Sequence, residues 1–116
     1  MSEKRITVAE VISAFQETGY KPLFGDWAKD GGTARVKACA LACMWTAGML
    51  PKNYGIKNMI ERIKTGAYVE YGCTYINGFL AGWDFYPPVK DYEYPQRWTD
   101  GYADGLAARA AMGEDA

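Results

Sequence analysis

The sequence contains no histidine, and this absence excludes several kinds of chemistry at once. Catalytic arrangements of the Ser/His/Asp and Cys/His types, histidine metal ligation and histidine acid-base catalysis all need that side chain. The sequence also lacks the Gly-Lys-Ser/Thr element of a Walker phosphate loop. We therefore expect a binding protein and not an enzyme, with no catalytic residue, no resident metal and no cofactor.

A charge excess and a long apolar run are missing as well. The 13 Lys and Arg residues oppose 14 Asp and Glu residues, and a net charge of −1 gives no reason to expect binding to bulk nucleic acid. The longest apolar stretch, residues 38–50, is shorter than the ~20 residues that span a bilayer. The N-terminus lacks the apolar run of a signal peptide, so we expect a cytoplasmic protein that does not enter a membrane.

Cysteine is scarce, and the three that occur form no CxxC pair. An odd number of cysteines without a secretion signal favours reduced thiols. Cys39 and Cys43 lie one helical turn apart, so a metal site with Cys73 as a third ligand is one interpretation. Burial in an alanine-rich helix is the favoured one, because free cysteine is among the most buried residue types.

Length and periodicity predict one all-α domain, residues 1–116, of about five helices. Thr7 and Glu10 form a capping box before a helix over residues 8–18, which Gly19 ends with a left-handed cap. After an apolar loop, residues 34–49 are expected to form a central helix, because the segment is apolar on all sides from residue 38 onward.

The second half of the chain continues this pattern. A third helix is expected after a cap at residues 50–53, closed by Gly66, with one buried stripe made of Ile56, Met59, Ile60 and Ile63. Residues 67–72 fit either a short strand or a helical turn. Two further helices are predicted over residues 74–84 and 97–112, separated by a proline-rich loop.

These last two helices contain a short internal repeat. Tyr75-x-x-Gly78-Phe79-x-x-Gly82 and Trp98-x-x-Gly101-Tyr102-x-x-Gly105 place aromatic and glycine residues at identical spacing, offset by 23 residues. Glycine in a helix costs about 1 kcal/mol relative to alanine, so close approach of the two helix backbones is the expected compensation. An intermolecular seam, or a ligand lying against bare backbone, is the alternative.

Two segments are candidates for ligand binding. A glycine pair leads into a predicted helix N-terminus with two cations, which is typical of an anion or phosphate site, although a plain helix cap explains the same residues. These residues are Gly31, Gly32, Thr33, Arg35 and Lys37. Eleven of the seventeen aromatic residues lie between Tyr68 and Tyr102. Core packing and a recognition surface explain them equally well, and the surface candidates are Tyr71, Tyr75, Tyr86, Trp98 and Tyr102.

Acidic side chains make a third candidate. Asp100 and Asp104 lie one turn apart on the last predicted helix, and Asp84 ends the helix before it. Such carboxylates hold hard cations or exchange protons in other proteins. Arg97 lies one turn before Asp100, and the start of a helix favours negative charge, so a solvated face is the favoured interpretation.

Three stretches together resemble a loose group of small bacterial and phage proteins of unknown function. They are the turn Thr18-Gly19-Tyr20-Lys21-Pro22, the sequence Cys39-Ala40-Leu41, and Gly78-Phe79-x-x-Gly82-x-Asp84. The resemblance implies a phage-borne accessory protein. It implies no activity, ligand or catalytic residue.

From these features we expect a phage-type accessory protein that sequesters a small nucleotide-like signalling ligand of host defence. The alternatives are a protein inhibitor of a host immune effector, such as a CRISPR component, that acts through a Tyr/Trp surface, and a structural subunit that assembles with itself. Residues 1–65 have a net charge of +4 and residues 66–116 a net charge of −5. This asymmetry favours a homo-oligomer.

Overall fold

The fold is seen in a computed structural model that describes residues 4–23, 28–30, 36–52 and 55–113. Its helices are α1 Val8–Thr18, α2 Ala40–Thr46, α3 Met59–Tyr71, α4 Cys73–Trp83 and α5 Gln96–Ala111. Three very short strands, β1 Lys21–Pro22, β2 Ala28–Asp30 and β3 Val36–Ala38, form a sheet of order β1-β3-β2. The described residues confirm the predicted all-α class. None of the helices in these ranges has the length and apolar character needed to cross a membrane.

The first helix begins and ends where its sequence predicts. The Thr7 hydroxyl accepts the Glu10 backbone N–H at 3.1 Å, and the Glu10 carboxylate accepts the Thr7 N–H at 2.9 Å. Gly19 ends the helix at φ 73°, a left-handed conformation that costs glycine little. Val11 and Phe15, which lie one turn apart on this helix, are buried.

The predicted helix over residues 34–49 is wrong in its first part, because residues 36–38 form strand β3. Their backbone pairs in parallel with β1 on one side and antiparallel with β2 on the other. The helix therefore begins only at Ala40, after Cys39, whose Sγ accepts the Ala42 N–H at 3.4 Å. Residues 40–44 are all buried, so the expected central position of this helix is confirmed.

The third helix differs from its prediction at both ends. Asn58 caps it and accepts the Glu61 N–H at 3.1 Å, whereas Asn53 lies outside the described residues. Gly66 does not end the helix, which continues to Tyr71 and makes residues 67–71 helical. A Cβ on Gly66 would lie closer than 3.0 Å to the Pro51 carbonyl oxygen, so glycine here permits close packing inside the helix.

The predicted buried stripe of this helix is also only partly present. Ile63 is buried, but Met59 and Ile60 are exposed and Ile56 precedes the helix. The helix begins five residues later than expected after the 50–53 cap, and Met59 and Ile60 in its first turn lie at the surface.

The glycine repeat packs α4 against α5, as predicted. A Cβ built on any of the four glycines would lie closer than 3.0 Å to a backbone oxygen of the opposite helix. Gly78 faces the carbonyl of Trp98, and Gly101 faces that of Tyr75. The second pair repeats the relation with the carbonyls of Tyr102 and Phe79. Each glycine thus meets the carbonyl that precedes the partner glycine by three residues, which makes the pair pseudo-twofold.

This register means that α4 and α5 run parallel. Arg97, in the first turn of α5, donates to the Tyr71 carbonyl just before α4, at 2.7 Å. Arg109, in the last turn of α5, donates to the Trp83 carbonyl at the end of α4, also at 2.7 Å. The chain must therefore return along the pair through residues 84–95. A helix of 11 residues is about 16 Å long, which roughly five extended residues would span, so this connection is longer than the return requires.

The N-terminal segment ties the helix pair to the rest of the core. Ile6 is buried, and its N–H donates to the Tyr75 hydroxyl at 2.7 Å. That hydroxyl donates in turn to the Asp104 carboxylate. Arg5 binds both oxygens of the same carboxylate at 2.9 Å, an arrangement of two parallel bonds that orients the pair.

Candidate functional site

The predicted anion site falls mostly on residues that the structure does not describe. Gly31, Gly32, Thr33 and Arg35 lie outside the described ranges, and Lys37 lies in strand β3 instead of a helix. In the register of the sheet, Lys37 is opposite Lys21 of β1 and Lys29 of β2. Three lysine positions therefore share one register level of this small sheet.

Two of the predicted aromatic ligands belong to the core, which corrects that part of the prediction. Tyr71 is 2% exposed and Tyr75 is fully buried. Burial raises the pKa of Tyr71 to about 12, and burial together with the hydrogen bond to Asp104 raises the pKa of Tyr75. A planar ligand has no access to either ring, because the N-terminal segment and the helix pair enclose them.

The other predicted aromatic residues lie at the surface. Tyr86 is exposed, whereas Trp98 and Tyr102 are half-buried on α5. Trp98 stacks on Tyr94 with ring centroids 3.9 Å apart and on Tyr102 at 5.2 Å, and Tyr92 meets Tyr94 edge-on at 4.6 Å. We call these four rings the aromatic column. Its stacking uses ring faces that a nucleotide base would need.

Four of the seven exposed large apolar side chains among the described residues lie in residues 84–95, which we call the aromatic loop. Phe85, Tyr86, Val89 and Tyr92 are each 60% exposed or more. These four side chains present roughly 500 Å² to solvent, taking ~200 Å² for a whole aromatic side chain. The four residues lie within eight positions of one another in sequence, and the largest apolar patch of a monomer, typically about 300–600 Å², is often functional.

The first of these residues has a strained backbone. Phe85 has φ 61°, in the left-handed region that bulky residues avoid. The Phe85 N–H donates to the Gly82 carbonyl at 3.1 Å, and the Tyr86 N–H donates to the Ala81 carbonyl at 2.9 Å. This is the Schellman pattern of helix ends, in which the left-handed position is normally glycine. The left-handed conformation costs a non-glycine residue about 1–2 kcal/mol.

The other four helices end differently. Gly19, Gly48, Gly72 and Gly113 follow α1, α2, α3 and α5, and all four have positive φ. Phenylalanine at the corresponding place after α4 is therefore an exception within the same chain. Its ring is 62% exposed, and the Arg109 guanidinium lies 5.3 Å from the ring centre. A cation-ring contact at an exposed site contributes about 0.5–1 kcal/mol, which does not exceed the backbone cost.

The rest of the aromatic loop is held by its own hydrogen bonds. The Val89 N–H donates to the Tyr94 hydroxyl at 2.8 Å, and the Tyr92 N–H donates to the Val89 carbonyl at 3.4 Å. Asp91 takes a second left-handed conformation at φ 65°, which aspartate tolerates. Proline at positions 87, 88 and 95 restricts the backbone further. The loop is thus ordered before any partner arrives, which lowers the entropic cost of binding.

Asp100, Asp104 and the two buried thiols are accounted for by structural contacts. Asp104 is bound by Arg5 and Tyr75, and Asp100 lies 3.8 Å from the Arg5 guanidinium, so these carboxylates form ion pairs. Cys39 and Cys43 are buried, and burial raises their pKa values to about 12 and about 11. Across the described part of the chain, no three potential metal-ligating side chains come together.

Sequence reasoning missed Phe85, and one signal was available for it. Each of the other helices is followed by a glycine, whereas Trp83-Asp84-Phe85-Tyr86 contains none. No known protein family, curated protein or solved structure matches the chain.

Proposed function

We propose that the chain is a non-enzymatic binding protein that binds a partner protein through the aromatic loop. The observation that carries this proposal is the strained and exposed conformation of Phe85. A residue that costs about 1–2 kcal/mol in backbone energy and leaves its ring in water is kept for something other than stability. Tyr and Trp are enriched at protein interfaces because their apolar rings end in a polar group.

The chemistry of the loop favours a protein partner over a nucleotide. Its exposed apolar groups are aromatic rings, a valine and prolines, which fit the apolar centre of a protein interface, and the exposed Lys90, Asp91 and Glu93 fit its polar rim. The ring faces of the aromatic column are used in stacking within the column, and Tyr71 and Tyr75 are buried. These features support the interpretation in which a Tyr/Trp surface blocks another protein, such as an effector of host immunity.

The cellular setting belongs to the same proposal. Cys39, Cys43 and Cys73 are free thiols, and Cys73 is exposed. An exposed free thiol persists in a reducing compartment, which supports a cytoplasmic location. A phage origin rests on the sequence resemblance alone.

Site-specific photocrosslinking inside the producing cell tests the proposal. A crosslinking amino acid is placed at position 86 in the aromatic loop and, as a matched control, at position 107 on the exposed face of α5. We expect a discrete protein adduct from position 86 and none from position 107, and we expect Phe85→Gly to remove the adduct. Equal adducts from both positions, or none from position 86, would contradict the proposal.

A second candidate function is supported by three lysine positions in the sheet. Backbone pairing places residues 21, 37 and 29, all lysines, at one register level of the sheet, and lysine binds phosphate in other proteins as a point charge. A phosphate-bearing, nucleotide-like ligand is the class that such a site would take, with the Gly31-Gly32 segment beside it in sequence.

Titration calorimetry with pyrophosphate and with linear and cyclic nucleotides tests this second candidate. We expect binding at micromolar concentrations that Lys37→Gln weakens by about tenfold, the effect of one lost charged contact. Lys57→Gln, at an exposed lysine before α3, is the matched control and should leave the affinity unchanged. Absence of binding up to about millimolar ligand would end the hypothesis.

A further inference from the structure

We infer that the partner of the aromatic loop is a basic protein surface, in which an apolar pocket for the Tyr92 ring is rimmed by Lys and Arg side chains that face Asp91 and Glu93. This inference rests on the proposed function, because it names the chemistry of the partner that the loop binds. It is argued from the exposed ring, from the two carboxylates beside it in sequence, and from the net charge of the loop.

Tyr92 is the exposed ring at the acidic end of the loop. It is 60% exposed, and it meets Tyr94 edge-on with ring centroids 4.6 Å apart. The Tyr92 N–H donates to the Val89 carbonyl at 3.4 Å, and the Val89 N–H donates to the Tyr94 hydroxyl at 2.8 Å. The ring is therefore exposed on a backbone that is already ordered. Tyrosines of this kind are frequent anchors of protein interfaces once a partner buries them.

Two carboxylates flank this ring in the sequence. Asp91 and Glu93 are exposed, and within the described ranges neither forms an ion pair, although Lys90 is next to Asp91 in the sequence. By contrast, Asp104 on α5 is bound by Arg5 at 2.9 Å. The attraction of the two loop carboxylates for a cation is therefore not used in the described part of the fold, and it is available to a partner.

The net charge of the loop selects the kind of partner. Residues 84–95 contain three carboxylates and one ammonium group, so their net charge is −2. The same sign extends over residues 66–116, whose net charge is −5. A second copy in a twofold arrangement would place equal charges against each other, and a phosphate-bearing surface would be repelled as well. A basic rim is attracted, and it is steered towards the loop at longer range.

Lys90 is the one charge of the loop that has the opposite sign, and it makes the inference testable by direction. A basic rim is attracted by Asp91 and Glu93 and repelled by Lys90. Removing either carboxylate should therefore weaken binding, whereas reversing the charge of Lys90 should strengthen it. A partner that uses the loop for its apolar surface alone would respond to neither change.

The yield of the photocrosslinked adduct from position 86 measures these effects in the producing cell. Expression is kept at a level at which the yield still rises with the amount of chain. We expect Glu93→Lys to lower the yield about tenfold and Asp91→Asn to lower it about threefold, and we expect Lys90→Glu to raise it about threefold. Asparagine is chosen at position 91 because it tolerates the left-handed conformation found there.

The matched control is Glu17→Lys, at an exposed carboxylate of α1. It changes the net charge of the chain by the same amount as Glu93→Lys, but it lies outside the aromatic loop. We expect it to leave the adduct yield unchanged, because the inferred attraction belongs to the loop and not to the chain as a whole.

The possible results separate this inference from the proposed function. A yield that none of the three loop variants changes, or that all three lower, overturns the basic partner, as does an equal loss from Glu17→Lys. An adduct composed of two copies of this chain overturns it as well. In each of these cases the adduct itself still shows that the loop binds a protein, so the proposed function stands. Absence of any adduct from position 86 in the otherwise wild-type chain overturns both.

Discussion

The glycine-packed helix pair and the aromatic loop are neighbours in sequence, and they use the same residue types in opposite ways. In α4 the rings of Tyr75, Phe79 and Trp83 are fully buried, and the backbone is unstrained. In the loop the rings of Phe85 and Tyr92 are exposed, and Phe85 is strained. Aromatic content alone therefore does not locate a binding surface. The candidate binding surface lies where a strained backbone and exposed aromatic side chains occur together.

The contrast also explains why the loop exists in its present form. Parallel packing of α4 and α5 demands a return connection, and a shorter one than residues 84–95 would suffice. The additional residues form a loop that is held by its own hydrogen bonds. The helix pair thus supplies stability and a fixed base, and the loop supplies an apolar surface.

The largest expected effect comes from removing a buried ring of the helix pair. Phe79→Ala should lower the free energy of unfolding by about 3–5 kcal/mol, because it leaves a cavity in the core. Tyr92→Ala, at a loop ring that is 60% exposed, should lower it by less than about 1 kcal/mol. Urea unfolding of both variants measures the difference. Similar losses for the two variants would show that the loop ring is structural after all.

The next effect concerns the glycines of the helix pair. Gly101→Ala should lower the free energy of unfolding by about 1–3 kcal/mol, because its Cβ meets the Tyr75 carbonyl, which is backbone and cannot turn aside. The reverse substitution Ala103→Gly on the exposed face of α5 should cost about 1 kcal/mol through helix propensity. A stabilising Gly101→Ala, as propensity alone would give, is the result that breaks this account of the packing.

A different effect is expected at alkaline pH. In the folded chain Cys39, Cys43 and Tyr71 have pKa values raised by burial to about 12, 11 and 12, so folding favours their protonated forms. In the unfolded chain thiols ionise near ~8.5 and tyrosines near ~10. The contribution of these three groups to the free energy of unfolding is therefore fully present below about pH 8.5, and it is lost as the pH rises towards about 12.

The contribution of one tyrosine to this fall can be isolated. Tyr71→Phe should recover ~1 kcal/mol of the loss between about pH 9 and pH 11, because the variant has no phenol to ionise. Tyr92→Phe in the exposed loop serves as the control and should leave the pH profile unchanged. Chemical unfolding at a series of pH values measures both, and parallel profiles for Tyr71→Phe and the wild-type chain would contradict the assignment.

Local patterns in the sequence were sufficient to predict the packing of α4 against α5. They were not sufficient to predict the parts of the fold that depend on contacts between distant residues. The repeat around Gly78 and Gly101 is visible in the sequence because both the spacing and the cost of helical glycine are local. The late start of α2 depends on pairing of residues 36–38 with β1 and β2, which no local pattern shows. Gly66 resembles a helix end until the Pro51 carbonyl is seen beside it.

The same distinction applies to the residues of the candidate surface: local sequence patterns predicted some of them, whereas others depend on distant contacts. The sequence identified the aromatic-rich half, including Tyr86, Trp98 and Tyr102. It did not separate these residues from Tyr71 and Tyr75, because their burial depends on the N-terminal segment, some 70 residues away in sequence. The strain at Phe85 was missed because helix ends are recognised by a glycine, and here the glycine is absent.

The most direct test of the central claim is the free energy of unfolding of Phe85→Gly compared with the wild-type chain. If the ring is kept for binding, glycine relieves the left-handed strain and more than offsets the lost contact with Arg109. We therefore predict an unfolding free energy equal to that of the wild-type chain or up to about 1 kcal/mol higher. A loss of more than about 1 kcal/mol would contradict the account, because it would mean that the exposed ring stabilises the fold.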